Sequence, residues 1–168
     1  GPGAPAFLYV RKDHQGQLLN PISGWFGHDA PFDFSTGYRP AEDINRFLTG
    51  TPPVTSIALI EPGIDIILET GIDQIREKSV KQTDFLISLW DTYLKDLGFA
   101  LKTPAESAVR GSHVSFGHTD GHRINQALRD HCSIFADFRA PDNLRIGITP
   151  LYMSYREIHA AAEALHQI

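Results

Sequence analysis

IDQIREKSVKQTDFLISLWDTYLKDLG, residues 72–98, is the stretch from which the rest of the chain can be placed. Ile72, Ile75, Leu86, Leu89, Trp90, Tyr93 and Leu97 recur at helical spacing and form one apolar stripe. Glu77–Lys81 and Asp91–Lys95 stand four residues apart on the wet side, where opposite charges support a helix. Gly98 is the stop signal. One long amphipathic helix is therefore expected from Ile72 to Leu97.

The pattern changes downstream, which places a sub-domain boundary near Leu97. Ser112–Phe116 alternates as a strand, and Asp120 can cap a helix running to about His131 with Ile124 and Leu128 inward. Ser133–Phe138 and Leu144–Thr149 read as two more strands. Ser154-Tyr155-Arg156-Glu157 is a capping box that opens a last helix, with Ile158, Ala161, Ala162 and Leu165 on its apolar face. The order strand, helix, strand, strand, helix predicts a small α+β sandwich with helices on one face of a sheet.

Upstream, Ala6–Val10 reads as a short buried strand, Arg11–Gly16 as a polar turn, and Gln17–Leu19 as a hairpin return. Asp29–Arg46 is rich in Pro, Asp and Phe without a period, so it is a loop with Phe26, Phe32 and Phe34 tucked under it. In Gly50-Thr51-Pro52-Pro53, Thr51 is a helix cap and Pro is favoured at the first helical position. Ile57, Ile60, Ile64 and Ile67 follow at helical spacing. Pro62 predicts a kink between Ala58 and Pro62, and Gly71 a second bend or break.

The 168 residues suffice for one ordinary domain with a sizeable core. A net charge of −5 offers no basic face to nucleic acid or to an anionic membrane. No apolar run approaches the ~20 residues that span a bilayer. Cys132 is the single cysteine, which fits a reducing compartment, and its place between helix and strand suggests a buried, inert thiol. The start, Gly1-Pro2-Gly3-Ala4-Pro5, has no Met and enters an apolar run at once, as in a chain that begins inside a larger fold. No nucleophile elbow, Walker loop, GxGxxG or CxxC pattern occurs.

Three constellations could carry chemistry. In Gly24-Trp25-Phe26-Gly27-His28, two glycines allow a sharp bend or a close approach to a ligand, and Trp25 and His28 offer donors. The plainer reading is a surface turn pinned by two buried aromatics. Thr51 either caps its own helix or joins free backbone donors at a phosphate or carboxylate site. Arg145 shares a strand face with Gly147 and Thr149, opposite Leu144, Ile146 and Ile148. It either grips a carboxylate or makes a surface ion pair, and Arg139 is a rival for the same role. His113, His118 and His122 straddle a strand end and a loop, and read as solvated histidines rather than a metal site.

Together these motifs resemble kynureninase, a hydrolase of the fold-type I family that uses pyridoxal 5'-phosphate (PLP). The resemblance runs in order through GPGAPAFLYV (1–10), GWFGH (24–28), FLTGTPP (47–53), IREKS (75–79), GSHVSF (111–116) and DFRAPDNLRIGITPLY (137–152). It covers the C-terminal part of such an enzyme, somewhat under half. It implies an α/β fold-type I architecture: residues 1–70 ending the large PLP domain, 71–98 a connecting helix, and 99–168 a small α+β domain. It also implies a cytoplasmic homodimer cleaving the Cβ–Cγ bond of L-kynurenine, or its 3-hydroxy analogue, to an anthranilate and L-alanine. PLP would be the cofactor and electron sink.

By position, Trp25 and Thr51 resemble the family's PLP-phosphate contacts, Thr51 reaching across the dimer interface and close to substrate. Arg145 resembles the Arg that holds the substrate α-carboxylate. The family's Schiff-base lysine lies just before the Gly-Pro-Gly motif, where this sequence has not begun. Lys12, Lys78, Lys81, Lys95 and Lys102 do not match it, so no catalytic residue is expected among these 168, and alone they are expected to be inactive. Another fold-type I enzyme, such as a desulfurase or aminotransferase, and a non-catalytic dimerisation module are the competing readings.

Overall fold

The computed structural model describes residues 4–168; the Gly1-Pro2-Gly3 opening of the first motif lies outside the described residues. The chain divides into two compact units, Gly1–Ile66 and Ile67–Ile168.

The first unit is mostly irregular. No strand forms over Ala6–Val10, and no hairpin over Gln17–Leu19. Phe7 and Tyr9 are largely exposed, so the apolar pattern there lacks the buried face a strand would need. The polar turn is a single helical turn, α1 (Lys12–Gln15). The 29–46 loop ends in a 3-10 turn, Ile44–Phe47, capped by the Asp43 carboxylate on the Asn45 N–H. Phe32 and Phe34 lie on its surface rather than under it.

Three helices run through residues 54–89. They are α2 (Val54–Ala58), α3 (Glu61–Thr70) and α4 (Ile72–Leu89). Between α2 and α3 the structure has a full break, not a kink. Pro62 falls in the first turn of α3, where a missing N–H costs nothing, so the helix restarts there. Gly71 takes φ +82°, a value that strains any residue with a Cβ, and it turns the chain into α4.

The second unit carries the expected sandwich. Beyond Leu89, α4 continues as a π turn (Trp90–Leu94) and a 3-10 turn (Lys95–Leu97), closing on Gly98 in the left-handed conformation. Then follow β1 (Ala100–Leu101), β2 (His113–Gly117), α5 (Gly121–Cys132), β3 (Asp137–Arg139), β4 (Asn143–Gly147) and α6 (Tyr155–Gln167). The sheet order is β1-β2-β4-β3, antiparallel throughout. Register lines up Leu101, Phe116, Leu144 and Phe138 across the four strands, with Val114 against Ile146 beside them. That face packs on Leu86, Leu89 and Leu94, on Ile124 and Leu128 of α5, and on Ile158, Ala162 and Leu165 of α6.

Several local expectations need correction. The middle of α4 buries Ser79, Gln82 and Thr83, while Ile72, at its start, is exposed. Each of the three makes a hydrogen bond there, although Gln82 Oε1 has none among the described residues. The Ser79 and Ser112 hydroxyls meet at 2.6 Å, Gln82 Nε2 donates to Met153 O at 2.7 Å, and Thr83 Oγ1 donates to Ser79 O at 2.9 Å. Asp120 sits at the N-cap of α5 but accepts no capping bond. Its carboxylate takes Arg123, and its N–H donates to His118 Nδ1. The predicted 133–138 strand shrinks to β3 because Ser133 takes a left-handed turn at the end of α5. Cys132 is exposed, not buried. The 154–157 capping box forms in both directions.

Candidate functional site

The two glycines of the 24–28 stretch have a structural reason. A Cβ on Gly24 would lie 1.7 Å from the Thr49 carbonyl oxygen, and one on Gly27 would lie 2.7 Å from the Arg46 and Leu48 carbonyl oxygens. The turn Trp25–Gly27 is thus laid backbone to backbone on residues 46–49, immediately before Gly50 and Thr51. Closeness to another strand of the chain, not to a ligand, is what requires glycine here.

That packing holds Trp25 with its ring half-exposed, edge-on to Phe26 at 4.4 Å and to Phe32 at 5.7 Å between centroids. Its indole N–H makes no hydrogen bond among the described residues. Trp25 lines a cavity of about 440 Å³ together with His28, Pro31, Phe34 and Tyr38. Thr51 lines a different cavity, of about 570 Å³, with Phe7, Phe47, Gly50 and Ile57. Thr51 is not a helix cap: α2 begins at Val54, Pro53 holds the cap position, and no side chain caps it. Its exposed hydroxyl has no partner among the described residues. The cap reading is therefore excluded, and α2 is only five residues long, too short for much of a dipole.

His28 is committed to the chain. Its Nε2 lies 3.0 Å from Gly37 O and donates, while Nδ1 accepts from the Ala30 N–H at 2.9 Å. Asp29, beside it, is held below the ordinary carboxylate range chiefly by its hydrogen bond from Arg39. A residue with no sequence signal does the clamping below. Arg46 is buried and donates to Ala41 O (2.8 Å), Gln15 O (2.7 Å) and Leu18 O (3.0 Å), joining α1 to the 41–46 turn.

In the second unit, alternation along β4 is as expected: Leu144, Ile146 and Ile148 are buried, and Arg145 faces the other side. Arg145 is paired across the strands with Asp137. Its Nε and Nη2 both reach Asp137 Oδ2, the former at 3.0 Å. Arg139 Nε donates to the same oxygen at 3.1 Å. The Arg145 hydrogen bond is the first reason the Asp137 carboxyl sits below its ordinary range. Gly147, on the same face, has open space over it. Ion pair and ligand grip are thus not exclusive readings of Arg145. Asp137 went unnoticed in the sequence, although Asp-Phe-Arg alternation puts it on the face of Arg139.

The histidine cluster is dispersed. His118 stacks on Phe99 at 4.7 Å and takes the Asp120 N–H, while His122 meets the edge of Phe138. Among the described residues no three His, Cys, Asp or Glu side chains are arranged to hold a metal ion. The lysines are engaged as well: Lys78 with Pro150 O, Lys81 with Glu77, Lys95 with Asp91 and Lys102 with Asp142.

Known proteins match throughout. The family described as the kynureninase C-terminal domain matches residues 75–165. Kynureninase from Pseudomonas fluorescens is 40% identical over all 168 residues, and that from Burkholderia mallei (strain SAVP1) 39%. The chain spans 40% of the length of each of these relatives. Among solved structures, apo cysteine desulfurase from Thermococcus onnurineus NA1 superposes with a TM-score of 0.77 at 21% identity, over 95% of this chain and 41% of that one. A C-DES mutant with glycine covalently linked to its PLP cofactor gives 0.74 at 20% identity, over 94% and 40%. Those two likenesses establish the fold-type I architecture, and the family match establishes the kinship: the chain belongs to the kynureninase C-terminal domain family.

Proposed function

We propose that these residues are the C-terminal portion of a kynureninase, a PLP-dependent hydrolase releasing an anthranilate and L-alanine from L-kynurenine or its 3-hydroxy analogue. In this reading residues 1–70 complete the large PLP domain, 71–98 connect, and 99–168 form the small domain. The observation that carries it is identity of about 40% to kynureninases along the whole chain. The residues present suit the cofactor. Trp25 and Thr51 each keep an uncommitted donor, and those donors would hold its phosphate. Bound PLP supplies an electron sink for the carbon chain under attack. Arg145 would fix the substrate α-carboxylate, orienting the scissile bond relative to that sink.

Exposed Phe7, Tyr9, Val54, Leu59 and Leu68 support a further protein partner, as in a homodimer. The reading also implies that activity requires a lysine beyond the five in this chain, each of the four in the second unit being tied to a neighbour.

The test is product analysis of the full-length protein carrying this segment, supplied with PLP. Anthranilate and alanine from kynurenine are expected; sulfur release from cysteine or transamination as the main reaction would overturn the proposal. Arg145→Ala should raise KM by the equivalent of about 1–3 kcal/mol and spare PLP binding. Thr51→Ala should weaken PLP retention instead.

A further inference from the structure

The geometry points to Asp137 as the positioning residue for Arg145: it clasps the Nε/Nη2 edge of the guanidinium and so presents the Nη1/Nη2 edge to an incoming carboxylate. This rests on the proposed carboxylate role of Arg145.

A guanidinium has two edges that can bind a carboxylate with paired donors, one through Nε and Nη2 and one through the two terminal nitrogens. Asp137 takes the first, with Nε at 3.0 Å from Oδ2 and Nη2 on the same oxygen. Among the described residues nothing accepts from Nη1, so the second edge stays available. The cross-strand register makes the clasp rigid, because Asp137 and Arg145 are direct partners on β3 and β4. Beyond Arg145 on the same face, Gly147 leaves the space open.

Charge also has to be counted. One carboxylate alone would cancel the Arg145 charge and weaken its pull on an anion. Arg139 donates to the same Oδ2 at 3.1 Å, so the three groups together keep one positive charge. Asp137 thereby orients Arg145 without neutralising the face. Both flanking side chains are accessible, Asp137 at 47% and Arg139 at 65% of full exposure, so neither is needed to fill the core. The ionised clasp persists through the neutral range, since the Arg145 hydrogen bond keeps the Asp137 carboxyl ionised to lower pH than an ordinary carboxylate.

The experiment uses the full-length protein with PLP and L-kynurenine. Asp137→Ala should raise KM roughly 3- to 10-fold, the modest end for a charge-assisted bond at a solvent-exposed site, and leave kcat within about twofold. Asp137→Asn keeps an oxygen acceptor on Arg145 and should recover most of the loss. In an Arg145→Ala background, Asp137→Ala should add almost nothing, because its effect passes through the guanidinium. A rise in KM for Arg145→Ala but none for Asp137→Ala sinks the positioning role alone. An additive double variant, or a fall in KM for Asp137→Ala, does so too, the latter making Asp137 a competitor for the site. No effect of Arg145→Ala sinks the underlying carboxylate reading and this inference with it.

Discussion

Gly24→Ala is the sharpest test of how the Trp25 turn is held. The new methyl carbon would stand 1.7 Å from Thr49 O, 2.3 Å from its carbonyl carbon and 2.4 Å from its Cα. Contacts below 3.0 Å essentially never occur, and all three atoms are backbone, so no rotamer change can relieve the overlap. The turn and residues 46–49 must separate by more than an ångström. Overpacking of this kind costs about 1–3 kcal/mol, and a backbone obstacle places it at the upper end.

The same displacement moves Trp25. If its indole N–H donates to the phosphate, losing that charge-assisted bond weakens PLP binding by about 10- to 100-fold. The measurements are urea unfolding and a PLP titration followed by cofactor absorbance in the full-length protein. Gly16→Ala is the control: φ −77° and ψ −17° suit alanine, nothing lies within 4 Å, and the change should be neutral or stabilising by up to about 1 kcal/mol. A Gly24→Ala protein with an unchanged midpoint and PLP affinity within threefold of the parent would refute the reasoning. Equal damage from Gly16→Ala would refute it as well.

Arg46→Met removes three donated bonds and leaves the carbonyls of Gln15, Leu18 and Ala41 without that donor. About 2–4 kcal/mol of stability should be lost, with faster amide exchange over residues 12–48 read by mass spectrometry. Ser154→Ala breaks one arm of the α6 cap and should cost about 1 kcal/mol in urea unfolding, with little change in kcat. The other arm is pH-dependent: Glu157 is held below its ordinary range chiefly by the Ser154 N–H. A depressed carboxylate stabilises the fold above its unfolded pKa, and that contribution is lost as pH falls through the lower folded value. Urea midpoints of the parent should therefore fall more than those of a Glu157→Gln protein as pH is taken below about 4.

The second unit was largely legible because its signals are local. The capping box, the β4 alternation and the Gly98 stop are each contained within a few residues, and each was found in place. What failed locally did so for a tertiary reason. Ser79, Gln82 and Thr83 carry no apolar signal of their own, and their partners Ser112, Met153 and Arg110, some 27–71 residues away in sequence, hold them in the interior. The first unit was less legible because a 168-residue sequence scores Ala6–Val10 by its own apolar content. Burial needs something to be buried against, and in this unit Phe7 and Tyr9 remain exposed.

The candidate site divides along the same line. Trp25, Thr51 and Arg145 could be singled out as candidates because an indole, a hydroxyl in a Pro-rich turn and a strand arginine announce their chemistry by residue type. Their arrangement did not follow. Thr51 was credited with capping, yet α2 starts three residues later and leaves its hydroxyl uncommitted. The glycines beside Trp25 suggested room for a ligand, yet they mark where the chain touches itself. Arg145 posed a choice between surface pair and anion grip that sequence could not settle, because the answer depends on which edge of the guanidinium is used. Asp137 takes one edge and leaves the other. An arginine held on one side by its own sheet is better placed to bind on the other than a freely rotating one, since less rotamer entropy remains to be lost when a carboxylate arrives.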